Sequence, residues 1–185
     1  MSKYFIAALA AFVLALSSMA NAQSFTSADV EKFISTMTAL KNFGDQYPDV
    51  KMDVNDNLST ANGLQSLLDS DGKISMFSTI AEHVMASPAS GDFRKVIKDN
   101  GFASVNGFGE KADAIMMAYL ALKTDQADMQ QLDQMDPAML SMMPPQVREQ
   151  ISAAKKMMQA VSSVPSEDIA ALRPVLGQLE KAFDE

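Results

Sequence analysis

The sequence predicts an all-α fold, a single-domain bundle of about six to eight helices. Three observations carry that expectation. Apolar residues recur every three or four positions in one segment after another, which lays a stripe along one side of a helix. No segment alternates apolar and polar residues with β-branched enrichment, so a sheet has no candidate strands. Short Gly-, Pro- and Asp-containing breaks separate the striped segments and are too brief to divide two domains.

Taken in order, the first segment is a leader. Lys3 precedes an apolar run over residues 4–16, and Ala20-Asn21-Ala22 has the small-x-small form of a cleavage site. The run is shorter than the roughly 20 apolar residues that span a bilayer, so a cleavable signal peptide over 1–22 is favoured over an anchor helix. One Lys with no Arg pair fits general secretion. The mature chain is then 23–185, exported to the periplasm, and no other window is long and apolar enough for an integral membrane segment. A chain of this size buries roughly 70% of its unfolded surface and folds on packing alone. It must, because it contains no Cys: disulfides, thiolate metal sites, thiol nucleophiles and a lipid-modified Cys are all excluded.

Charge narrows the partners. Fifteen basic and 23 acidic residues give −8, and losing Lys3 with the leader makes it −9. Nucleic acid and anionic headgroups call for Lys/Arg clusters that this balance opposes. No nucleic acid partner is expected, and no cofactor.

The mature helices follow. Val30, Phe33, Met37 and Leu40, with Ile34 beside them, form the first stripe; Thr26 or Ser27 can cap it and Gly44 can end it. A polar, acidic stretch over 45–57 separates it from Ile74, Phe77, Ala81 and Val84. Turn chemistry at "SDG", "ASPASG" and "DNG" leads to Phe108, Ala112, Ile115, Tyr119 and Leu122. Pro137 behind Asp136 opens a short helix that "MPPQ" closes. Val147, Ile151, Ala154, Met158 and Val161 then face a second seam of Ile169, Leu172, Leu176, Leu179 and Phe183. Joined by Val164-Pro165, they predict an antiparallel helix pair whose last member is kinked at Pro174 and softened at Gly177.

The order of "VEKFISTMTAL", "DFRKVIKDNGFAS", "KADAIMMAYLALK" and "VPSEDIAALRPVLGQLEKAF" resembles a group of uncharacterised exported helical proteins of Gram-negative bacteria. The resemblance covers most of the mature chain and implies a periplasmic all-helical fold. The group has no established activity, so it implies no functional residue.

Methionine is the compositional oddity, with 15 in the chain. Three readings compete. The first is core packing, since an unbranched thioether fills irregular space; Met129, Leu132, Met135, Met139 and Met142 recur at helical spacing, and core packing requires Met139 and Met142 to be at least half buried. The second is a protein-binding surface, for the side chain adapts to varied partners. The pairs Met116-Met117, Met142-Met143 and Met157-Met158 each put one Met on or beside a stripe and its neighbour about 100° round the helix, fitting a client protein or a second copy in a homodimer. The third is a Cu(I) or Ag(I) site at Met139, Met142 and Met143, which three converging thioethers would make. Core packing leads, client binding follows, and the soft-metal site is the alternative function.

Other chemistry is poorly represented. Asp53-x-Asn55-x-Asn57 and the "DSDGKI" stretch each fit part of a calcium loop, but position twelve is Leu64 in one and Ser78 in the other where the bidentate Glu belongs. The single His83 must serve any imidazole mechanism, and no nucleophile elbow, zinc-protease helix or phosphate loop occurs. "NGFGEK" lacks the Lys-Ser/Thr of a phosphate cradle. No catalytic residue is assigned, and a non-enzymatic binding or structural role is expected.

Overall fold

The computed structural model of the chain describes residues 24–50, 68–69, 72–124 and 142–184. The leader, residues 51–57 of the acidic stretch, the short helix expected at Pro137 and the methionines from Met129 to Met139 lie outside the described residues.

The described chain is all-helical: α1 (Ser27–Gln46), α2 (Met76–Met85), α3 (Ser90–Asp99), α4 (Val105–Lys123), α5 (Pro145–Ser162), α6 (Ser166–Leu172), a 3-10 turn (Arg173–Val175) and α7 (Leu176–Asp184). α1 begins at a reciprocal cap. The Thr26 hydroxyl accepts from the Asp29 amide, and the Asp29 carboxylate accepts from the Thr26 amide at 3.0 Å. The expected stop at Gly44 falls two residues early. Phe43 packs in tilted contact with Tyr47 at 4.7 Å and with Phe93 at 5.7 Å, which holds the last turn in place through Gln46.

The second stripe also starts differently from its spacing. Ile74 lies ahead of α2, in an isolated antiparallel bridge with Leu68, because the helix starts only at Met76. α3 stops where "DNG" is read as a turn. Gly101 takes φ +89°, its amide donates to Lys98 O, and the Phe102 amide donates to Ile97 O. These are the paired bonds of a Schellman end, which a residue with a Cβ adopts only at a cost.

α4 is the hub, packing on α1, α2, α3, α5 and α6. Its tightest crossing is with α2. A Cβ on Gly109 would stand 2.9 Å from Ser78 Cα, so only glycine permits this approach. Asp113, one turn along, reaches across and caps α2: it accepts from the amides of Phe77 (2.7 Å) and Ser78 (3.1 Å) and from the Ser78 hydroxyl (2.6 Å). Ser75, the local N-cap, supplies no side-chain bond, so this cap comes from a helix more than thirty residues away. Around the crossing sits an aromatic core. Phe33 meets Phe77 edge-on at 5.2 Å, Phe102 meets Phe108 edge-on at 5.2 Å, and Phe33 stacks on Phe108 at 6.3 Å. Such pairs add about 0.5–1.5 kcal/mol each beyond area burial.

The two ends of the described chain close on each other. Phe25 is buried, the Ser24 amide donates to buried Asp168 at 2.8 Å, and the Ser27 hydroxyl donates to Ala171 O at 2.6 Å. Lys111 of α4 binds Asp29 at 3.0 Å and Ser24 O at 3.3 Å. Burial pushes the Asp29 carboxyl up, but Lys111, the Thr26 amide and hydroxyl, and Lys32 outweigh it and hold it well below the ordinary carboxylate range. The final helix breaks into α6 and α7 at Arg173–Val175, the kink expected of Pro174. Leu172, Val175 and Leu179 from this broken rod are all buried, and α7 packs on α1. No described helix is long and apolar enough to cross a membrane.

Candidate interaction surface

α5 differs from the other long helices in how little of it is covered. Pro144 and Pro145 open it with no side-chain cap, since proline at the first position gives up an amide that would lack a partner anyway. Its sequence makes an amphipathic rod of 18 residues, yet only Ala160 and Val161 are buried. Those two, with half-buried Met157, close on Met117, Leu120 and Ala121 of α4. Small residues at 160 and 153 let the helix lie near its neighbours. At Gly72, φ +79°, a Cβ would meet Lys156 O at 2.9 Å, so Gly72 is pressed against the α5 backbone. Beside it is a cleft of about 300 Å³ lined by Asp69, Glu149, Ser152 and Lys156.

The predicted seam is rotated away from that contact. Val147, Ile151, Ala154 and Met158 are half-buried, and Val161 alone completes the stripe in a buried position. The next face carries Arg148, Lys155 and Lys156, none of which has an ion-pair partner among the described residues. Every ion pair in the described part of the chain lies elsewhere. Lys123, for example, pairs with Glu180 and sits 5.8 Å from the Tyr119 ring, tying α4 to α7.

The candidate methionines divide. Met117 is buried between α4 and α5, and Met116 packs partly buried against the main core, so both are occupied inside the bundle. Met157 is half-buried at the α5 contact, while Met158 is half-buried on the open seam. Met143 is half-buried. Met142 is 87% exposed, against the core expectation that it be at least half covered. Met142 is helical but lies ahead of Pro144, so it belongs to the stretch that "MPPQ" ends and not to the α5 seam.

Met139 is outside the described residues, so the three-thioether arrangement is not laid out. Among the described residues no three His, Asp or Glu side chains gather as they would around a metal ion. His83 is exposed on α2. In the described part of the "DSDGKI" stretch the Lys73 amide donates to Asp69 Oδ1 at 2.9 Å and the Gly72 amide to Asp69 O at 3.1 Å.

A second recess, about 270 Å³, lies where α4, α5 and α6 meet, with Lys73, Met117, Ser163, Pro165 and Asp168 on its walls. Sequence reasoning gave no hint of it, because Asp168 reads there as an ordinary first-turn acid. Asp168 is 2% exposed and its carboxylate accepts from the Ser24 amide, a contact between residues 144 positions apart that no local pattern announces.

Comparison with known protein families, curated proteins and solved structures finds no match. The surface of α5 therefore has to be read from its own chemistry.

Proposed function

We propose that this is an exported, periplasmic helical protein that binds other proteins, in the manner of a chaperone or adaptor, through the apolar, methionine-bearing face of α5, and that it is not an enzyme. The observation that carries the reading is the partly open seam of Val147, Ile151, Ala154 and Met158, with Met142 exposed just ahead of the helix. A helix of this length buried on so narrow a strip leaves apolar surface available, and apolar surface with flexible side chains favours varied partners. The leader-like residues 1–22 support export, with a mature chain starting at Gln23.

Two measurements test it. Protein purified after expression of the full chain should begin at Gln23 and slow the aggregation of an unfolded client. Ile151→Glu with Met158→Glu should abolish that protection while leaving the helical circular dichroism intact. An unprocessed N-terminus would overturn the export reading, and protection undiminished in the double variant would overturn the surface.

A further inference from the structure

The apolar seam of α5 has a cationic margin, and its arrangement specifies a partner. Arg148, Ile151, Ser152, Lys155, Lys156 and Gln159 line a groove of about 460 Å³ along the helix. Arg148 and Lys155 are seven residues apart, two turns and about 10.5 Å along the axis, with half-buried Ile151 between them. In a chain of net charge −8, three of the four charged residues of α5 are cations, and none is neutralised within the described structure. Unpaired cations flanking an apolar residue select against a purely hydrophobic partner and in favour of one carrying carboxylates at the same spacing.

We infer that the α5 groove docks an acidic amphipathic segment of another protein: a helix whose apolar residue meets Ile151 while carboxylates two turns apart meet Arg148 and Lys155. This rests on the protein-binding reading and names the chemistry of the partner. Three alternatives fit less well. An isologous contact with a second copy sets the same cationic ridge against itself. Anionic lipid calls for a broad exposed apolar face for insertion, whereas this groove sets a single partly buried Ile151 among three cations, Ser152 and Gln159. Nucleic acid meets the same charge opposition with too few contacts.

The test uses two labelled helical peptides of identical apolar pattern, one with Glu at positions two turns apart and one with Gln in their place, and reads fluorescence anisotropy. The Glu peptide should bind saturably, about tenfold more tightly than the Gln peptide, and lose that margin at high salt. Arg148→Glu with Lys155→Glu should weaken the Glu peptide by about tenfold or more and leave the Gln peptide unchanged. Arg148→Gln with Lys155→Gln, which removes charge without reversing it, should bring the two peptides level. Equal binding of both peptides to the parent protein would overturn the inference while leaving protein binding by α5 standing. No binding of either would overturn both. Capture of the protein by phosphatidylglycerol vesicles with displacement of the Glu peptide, or a dimer in sedimentation that excludes the peptide, would replace the acidic segment with lipid or a second copy.

Discussion

α4 and α5 are nearly the same length, 19 and 18 residues, and both carry apolar stripes stepping three and four. Their fates differ. In α4 the residues Phe108, Ala112 and Ile115 are 0–1% exposed, sealed by neighbours on several sides. In α5 the equivalent positions stay partly open, and the buried contact is confined to the last stripe member, Val161, and its neighbour Ala160. The stripe sets which face wants covering, but the number of neighbours decides whether it is covered. α4 attracts neighbours by shape: Gly109 admits α2 to contact distance, and Asp113 then fixes it there by supplying the cap that α2 lacks.

The contrast can be broken most directly at paired isoleucines. Ile115→Ala should cost about 2–5 kcal/mol, the range for emptying a sealed core site, whereas Ile151→Ala should cost less, about 1–2 kcal/mol, because that side chain is only partly buried. Urea denaturation of the two variants measures the gap, and equal costs would erase the distinction between the helices. Next in size is the crossing itself. Gly109→Ala puts a methyl 2.9 Å from Ser78 Cα and 3.0 Å from Ser78 Oγ, and forcing the backbones apart should cost about 1–3 kcal/mol. The same change at Gly177, with nothing within 4 Å, should not destabilise through overpacking and provides the control.

Asp113→Ala should cost about 1–3 kcal/mol by leaving the Phe77 and Ser78 amides without their partner at the buried start of α2. Hydrogen exchange sharpens this prediction: protection should fall first in α2 and not in α5. The smallest effect concerns pH. Asp29 is held well below its ordinary 3.8 by the contacts that overcome its burial, so its contribution is present above pH 3.8 and is lost as pH falls toward the folded value. Asp113 has the opposite sign. Burial, exceeding its hydrogen bonds to Ser78 and Phe77, raises its carboxyl, so its contribution is present below 3.8 and is lost as pH rises through the raised value. Asp29→Asn should therefore narrow the stability difference between pH 7 and pH 3 seen by urea denaturation. An unchanged difference would mean that the Lys111 contact adds nothing to folding.

Much of the architecture was legible because it follows from local periodicity. Phe33, Phe77, Phe108, Leu172 and Leu179 could be placed inside from spacing alone, and Gly101 and Pro174 could be read as an end and a kink from their own backbone limits. The interaction surface was legible only in part. Met158 and Ile151 could be put on one seam, but the same stripe logic that described α4 correctly gave no way to know that α5 would stay half-open. Met142 was expected to be at least half buried as the last step of the Met129–Met142 spacing, and local spacing gave no way to know that this end would stay uncovered.

What the sequence alone determined is the all-helical class, the apolar faces of α1, α2, α4, α5 and the broken last helix, and the absence of any covalent staple, since each depends on a residue and its neighbours within about two turns. α3, with only Phe93 and Ile97 buried, was passed over as turn. The tertiary structure alone decided which faces meet. The Asp113 cap on α2, the Ser24–Asp168 closure and the rotation of α5 that leaves Arg148 exposed and Lys155 partly so all depend on distances between residues far apart in the chain. Such distances follow from how rods pack together, and no single rod contains them.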